Sequence, residues 1–333
     1  MRKSPNKMPE VTLIVCIYNV EQYIEHFLIS VFSQSYNPIS YVFVNDGTTD
    51  RSIAILEDML NAKFYSMRDR VTIINKQNEG LPFARAEGLN KVTGDYFIFL
   101  DPDDWIEQDM IERMVMKAED SASDMVYCDY FLEYPNRRVI CREFKPCRPV
   151  NSAFYVSALY NIKGFHSYLV IKLFRSSILE DLNLFVPPEN MMEDMVFSSQ
   201  FISRCSRVEK VDLPLYHYNK TNPTALTRTK WKERRRQKGI NLLGLLKHLE
   251  LTNSELLPII SNTLLFWSGW CLLCSNGLSF FIKDVEHSGQ LFHCHFENRC
   301  DTRFYSVKKL LLRFTSLLAV LLSTNIITKK RST

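Results

Sequence analysis

Three carboxylates, Asp101, Asp103 and Asp104, stand within four positions at the end of the apolar run in FIFLDPDDW. Crowded carboxylates repel one another and resist burial, so the arrangement calls for either a metal ion or a turn at the protein surface. Asp101 and Asp103 alternate, which lets both face one ion beyond a strand end. Oxygen ligands of this kind suit a hard divalent cation, Mn2+ or Mg2+. Other polar clusters end apolar runs in the same way: Tyr18-Asn19, Asn45-Asp46-Gly47, and Asn75 to Gly80. Further on, Glu193-Asp194 opens a helical pattern. A carboxylate there is either a first-turn acid favoured by the helix dipole or a general base raised by burial.

The elements that must position these residues alternate over the first 130 positions. Strand-like runs are predicted at Val11–Tyr18, Tyr41–Asn45, Val71–Asn75, Phe97–Leu100 and Asp124–Cys128. Helical patterns fall between them, at Val20–Gln34, Asp50–Lys63, Leu81–Val92 and Glu107–Glu119. Short apolar strands separated by helices predict βαβ units and a mainly parallel sheet covered on both faces. Ligands of such sheets bind beyond the carboxyl ends of the strands, where the four polar clusters lie. Past residue 131 the rhythm weakens, with a turn at Tyr134–Arg137 and helices at Asn151–Tyr160 and Glu193–Ser203. After Lys230 the pattern is mostly helical, with apolar runs at Leu242–Leu251, Leu256–Cys274 and Leu310–Ile327.

The segments IVCIYN, VNDGTTD and NEGLPFARAEGLNKVTGDYFIFLDPDDW, in that order, resemble the family 2 glycosyltransferases. The match is dense over residues 11–105 and thins out towards 220. The resemblance implies a GT-A fold: a nucleotide-binding half over 10–130, an acceptor-side half over 131–225, and a helical C-terminal region over 226–333. It implies an inverting, metal-dependent transfer from a nucleotide-sugar, of UDP type, to a hydroxyl of a glycan or lipid-linked acceptor. Asp46 would contact the base or ribose, Tyr18 or Asn19 would border the base, and Asn78 and Pro102 would complete the donor side. Asp101 and Asp103 form the family's D-x-D, with Asp103 as direct metal ligand. Arg85 would reach towards the donor or lock Asp101. Met191–Phe197 resembles the family's E-D-x-x-F segment, which makes Asp194 the base and Glu193 its orienting neighbour. On the acceptor side the expected residues are Glu193, Asp104, Trp105 and Lys172, the last in SYLVIKLFR with Arg175. In LYHYN, Asn219 stands where the family favours arginine, so Lys220 or Arg228 would substitute. His217 is either a further metal ligand or a structural histidine.

Composition is that of an ordinary globular protein: 333 residues, 46% hydrophobic, 23% charged, with a net charge of +4. The basic start MRKSPNKMPE and the short run VTLIVCIY lack the form of a secretory signal, so a cytoplasmic protein with free thiols is expected for the nine cysteines. Cys271, Cys274, His293, Cys294, His295 and Cys300 lack zinc spacing. The segment Arg228–Lys238 carries seven basic residues and one acid. It is either a solvated helix face or a contact for anionic lipid, which contributes about 1 kcal/mol per basic residue near a membrane surface. With Leu310–Ile327 flanked by lysines, it suggests peripheral attachment to the inner face of a membrane, in assembly of a bacterial surface polysaccharide. Nucleic acid is not an expected partner, and self-association is compatible with the sequence. A dinucleotide-dependent oxidoreductase is disfavoured because no G-x-G-x-x-G follows the first strand. The alternative within the same fold is a relative that binds nucleotide-sugar without transferring it.

Overall fold

The computed structural model describes residues 8–252 and 259–260. The apolar runs at 256–274 and 310–327, the Cys/His group at 271–300 and most of the expected C-terminal region lie outside the described residues.

Among the described residues, nine strands and seven α-helices follow one another along the chain. The first part contains β1 (Val11–Ile17), α1 (Ile24–Phe32), β2 (Ile39–Asp46), α2 (Ser52–Ala62), β3 (Val71–Lys76), α3 (Leu81–Leu89) and β4 (Tyr96–Leu100). Then follow β5 (Trp105–Ile106), α4 (Met110–Ser121), β6 (Met125–Tyr134), β7 (Arg137–Cys141), α5 (Ser152–Asn161) and β8 (Lys172–Arg175). The last are α6 (Glu193–Arg204), β9 (Val208–Asn219) and α7 (Trp231–Leu251). One sheet runs in the order β3-β2-β1-β4-β8-β6-β9-β5, with β7 paired to β6. It is parallel from β3 to β4, as the alternating pattern predicts. Beyond β4 it is mixed: β8 is antiparallel to β4 and to β6, whereas β6 and β9 run parallel.

Period-two side-chain alternation builds a core on each face of the sheet. Val11, Leu13, Val15 and Ile17 of β1 and Tyr96, Ile98 and Leu100 of β4 meet α1, α2 and α4. Ile14, Phe97 and Phe99 face the other way, towards α5, α6 and α7. On that face α3 lies close to β1, since a Cβ on Gly88 would come within 2.3 Å of Ile14. Leu242, Leu245, Leu246 and Leu249 of α7 are buried in the same core as Val196, Phe201 and Ile202 of α6. The described helix after residue 225 is therefore packed onto the sheet-bearing unit. The cysteines at 16, 128, 141, 147 and 205 are free thiols.

Candidate active site

The carboxyl ends of β1, β2, β3 and β4 lie at one edge of the parallel half, because all four strands run in the same direction. The β1 tip is locked to the turn after β2. Asn19, in a left-handed conformation (φ 52°), accepts hydrogen bonds from Thr49 N and Thr49 Oγ1, both at 3.2 Å. Its own amide donates to Thr48 Oγ1 at 2.8 Å. Asn19 therefore holds the turn, while its neighbour Tyr18 is 47% exposed and presents its ring to solvent.

Asp46 ends β2 and is 4% exposed. Oδ1 accepts from Lys76 Nζ at 2.9 Å and from Glu79 N at 3.1 Å, and Oδ2 accepts from Gly80 N at 3.0 Å. The sequence suggested a contact with base or ribose; here the carboxylate braces the 76–80 loop that carries the exposed Asn78. Gly80 makes the sharp entry into α3 with φ +98°, and a Cβ there would lie 2.7 Å from Asn190 Oδ1. That same oxygen accepts from Leu81 N at 2.9 Å, joining the start of α3 to the segment before α6.

Arg85 on α3 has a buried guanidinium that forks between two carboxylates. Nη2 donates to Asp101 Oδ1 at 3.1 Å and Nη1 to Glu193 Oε1 at 2.9 Å. Of the two positions the sequence left open for Arg85, the structure favours the lock on Asp101 and adds Glu193. Burial works against the Arg85 charge, but the two carboxylates offset it and hold the guanidinium above its ordinary pKa. Burial and the adjacent Asp194 push Glu193 up to about 8, against the pull of Arg85. Asp194 sits in the first turn of α6, where Oδ1 accepts from Met195 N at 2.7 Å.

The D-x-D turn is held by residues 116 and 119 positions further along the chain. Asn222 Nδ2 donates to Asp103 Oδ2 at 2.7 Å, and Asn219 Nδ2 donates to the Asp103 carbonyl at 3.0 Å. Burial, then the neighbouring Asp101, push the Asp103 carboxyl upward. Asp101, by contrast, has a side chain 36% exposed. Pro102 between them is buried. The donor set fits a hard divalent cation: it is all oxygen, and its crowded negative charge is only partly balanced by Arg85. Among the described residues no three His, Cys, Asp or Glu side chains converge on one ion position. Asp101 and Asp103 are the residues that would hold such a cation.

Three acceptor-side expectations, those for Asp104, Lys172 and Arg175, need correction, and His217 takes the structural one of the two roles left open for it. Asp104 is 2% exposed; its oxygens accept from Tyr216 Oη and, at 2.7 Å, from Asn219 N. It thus pins β9 to the turn and does not face an acceptor, and burial beside Asp103 and Asp101 pushes its carboxyl well above the usual range. Lys172 is fully buried, with Nζ donating to the carbonyls of His166 at 2.6 Å and Tyr168 at 2.7 Å. Burial lowers its pKa to about 8. His217 is 3% exposed, with Nδ1 on Glu133 at 2.7 Å and Nε2 on Glu107 at 3.0 Å, so neither ring nitrogen is open to a metal. Trp105 stacks on His217 at 5.1 Å and leans on His26 at 4.8 Å, and it stays half-buried. Arg175 holds the Ser123 carbonyl instead of an acceptor. Lys220 sits over the Tyr218 ring at 3.6 Å, and Arg228 donates to the Lys220 carbonyl at 3.1 Å.

Three asparagines that no motif marks carry much of this positioning. Asn222 and Asn190 act as above. Asn241 of α7, 0% exposed, donates to the carbonyls of Glu189 and Met191 at 2.7 Å and accepts from Glu189 N at 3.2 Å. It thereby fixes the approach to Asp194.

The glycosyl transferase family 2 model matches residues 12–182. The putative glycosyltransferase EpsH of Bacillus subtilis is 32% identical over 217 residues, 63% of this chain and 60% of that protein. The uncharacterized glycosyltransferase EpsJ of the same organism is 32% identical over 230 residues, 68% of this chain and 65% of its own length. The aligned chain thus spans less than two thirds of either relative. Among solved structures, Staphylococcus aureus TarS (residues 1–349) in complex with UDP-GlcNAc superposes with a TM-score of 0.57 at 18% identity, covering 80% of this chain and 82% of that one. The mannosyltransferase PcManGT of Pyrobaculum calidifontis, in complex with GDP-Man and Mn2+, gives 0.52 at 17% identity, covering 95% and 82%. These likenesses show the GT-A fold. With a family model matched over half its length, the chain belongs to glycosyl transferase family 2.

Proposed function

We propose that the protein is an inverting glycosyltransferase that moves a sugar from a nucleotide-sugar, of UDP type, to a hydroxyl of a glycan or lipid-linked acceptor. The observation that carries this reading is the Arg85 fork, which brings Asp101 of the D-x-D and Glu193, neighbour of the candidate base, to one guanidinium. The exposed Tyr18 ring and Asn78 border the nucleotide, and Asn19 and Asp46 hold the loops that carry them. Asp103 and Asp101 would hold Mn2+ or Mg2+, which when bound supplies stabilisation of charge on the departing diphosphate. UDP-GlcNAc in the TarS complex supports the choice of donor, and Mn2+ in the PcManGT complex supports the choice of ion.

In the reaction, the acceptor hydroxyl oxygen bonds to the anomeric carbon as the bond from that carbon to the diphosphate oxygen breaks. The bonding pair leaves on the nucleoside diphosphate, and the hydroxyl proton passes to the Asp194 carboxylate. A single displacement of this kind inverts the anomeric centre. Residues 10–130 serve the donor and 131–225 the acceptor, with α7 as a brace.

We place the protein in bacterial surface-polysaccharide assembly, at the inner face of a membrane. Trp231 is 56% exposed beneath Arg235, with Lys230 and Lys232 beside it, a combination suited to an anionic lipid surface. Arg236 is engaged with Glu189 and Glu233 and adds less. No helix of the described residues is long and apolar enough to cross a membrane. The test is a panel of UDP-, GDP- and dTDP-sugars with and without Mn2+. Metal-dependent release of one nucleoside diphosphate, lost in Asp103→Ala, is the expected result. Binding of none of them would overturn the reading.

A further inference from the structure

A row of aromatic rings lies on the acceptor half, outside every residue assigned so far. His166 stacks on Tyr168 with ring centroids 5.0 Å apart and planes 3° apart. Tyr168 in turn leans on Tyr218 at 6.1 Å and meets the buried Tyr130 edge-on at 5.7 Å. The inner members anchor the row, while the His166 side chain is 39% exposed and Tyr168 is half-buried.

The outer ring is held deliberately. His166 Nδ1 lies 2.6 Å from Glu143 Oε1, and the His166 amide donates to Glu143 Oε2 at 2.8 Å. The Glu143 side chain is 1% exposed, so this is a buried carboxylate used to orient a half-exposed imidazole. With Nδ1 bound to Glu143, Nε2 is the nitrogen left for an outside partner. Among the described residues the Tyr168 hydroxyl has no hydrogen-bond partner. Two polar tips on a fixed aromatic stack are thus free.

The row is also placed beside the candidate base. Ser198 Oγ donates to the Ser167 carbonyl at 3.0 Å, fixing the 166–168 segment to α6. Ser198 follows Asp194 by one helical turn, so both lie on the same face of α6. Burial first, and then the Asp194 charge, push the Tyr168 hydroxyl up to about 12.

We propose that His166 and Tyr168 form the acceptor-sugar subsite, with a pyranose ring of the acceptor stacked on the pair and its hydroxyls bound by His166 Nε2 and Tyr168 Oη. This rests on the reading of Asp194 as the base, since it directs one acceptor hydroxyl towards that carboxylate. Aromatic faces carry negative charge density, and the C–H face of a pyranose meets them favourably. Glu143 is then a positioning residue for His166.

The test uses saturation-transfer NMR on the full chain with UDP and Mn2+ present. The probes are the methyl β-glycosides of glucose, galactose and N-acetylglucosamine. Wild type is expected to saturate one face of at least one glycoside. His166→Ala should weaken that signal about tenfold. Tyr168→Phe keeps the ring that packs on Tyr130 and should weaken it about fivefold through the lost hydroxyl. UDP signals in the same samples should not change. No glycoside signal from wild type, or undiminished signals in both variants, would overturn the subsite. Failure of wild type to bind UDP would instead strike at the donor reading, which the glycoside signals do not report.

Discussion

Asp101 and Glu193 are bound to one guanidinium: Arg85 reaches Asp101 Oδ1 at 3.1 Å and Glu193 Oε1 at 2.9 Å. The tip of β4 in the parallel half of the sheet and the start of α6 are thereby fixed at the same point. Arg85→Lys keeps the charge but loses the fork that satisfies both carboxylates. Transfer should fall by about two orders of magnitude, with kcat reduced more than donor KM. Arg85→Ala strands the buried Glu193 beside Asp194 and should cost about 3 kcal/mol in urea unfolding.

Asn222 is expected to tune the cation site without touching substrate. Its amide holds Asp103 Oδ2 at 2.7 Å. Removing such an outer partner typically weakens metal binding about tenfold to a hundredfold. Mn2+ titration of Asn222→Ala in the presence of UDP should show that loss, together with a lower thermal midpoint because Thr224 N and Oγ1 also lose their acceptor. Unchanged Mn2+ affinity would assign Asn222 to loop structure alone.

Asp104 gives a pH signature. Its carboxyl is pushed well above the usual range by burial and by Asp103 and Asp101. The fold therefore binds this proton more tightly than the unfolded chain does. The stability that follows is fully present below the unfolded value of about 4 and is lost as pH rises through the folded value. In metal-free buffer, urea midpoints of wild type should fall from pH 5 to pH 8, and Asp104→Asn should flatten part of that slope. Equal slopes would contradict the assignment.

Much of the parallel half of the sheet is legible in the sequence because its information is local. Strand period, helix spacing and each polar tip can be read within one short stretch of sequence, and together they predict the parallel strands β1 to β4 in order. The misplacements share a physical cause. Asp104 and Lys172 invite a site reading because their neighbours in sequence are polar or motif-like. Whether each faces solvent is decided by β9 and the 164–172 segment, which pack over them. Asp104 and Asn219, for example, lie 115 residues apart. The antiparallel β8 was equally hidden, since KLFR carries no sign of which strands it will join. Asn190, Asn222 and Asn241 leave no signal, because a single asparagine outside a motif does not reveal which distant group its side chain will hold.

Asn241 tests whether α7 belongs to the working unit. It is buried and makes three hydrogen bonds to the 189–191 segment that leads into α6. Asn241→Leu leaves those groups without partners and should cost about 2 kcal/mol. Transfer should drop more than donor binding, because the displaced segment carries Asp194 and not the nucleotide loops. A drop confined to stability, with kcat intact, would make α7 a packing element only.

The most direct measurement compares Asp194→Asn with wild type once the donor is known, reading donor affinity and transfer rate on the same preparation. Donor affinity is expected within about twofold of wild type and the transfer rate lower by about two to four orders of magnitude, as loss of a general base implies. A transfer rate within tenfold of wild type would contradict it, and the proton would have to be taken by another group.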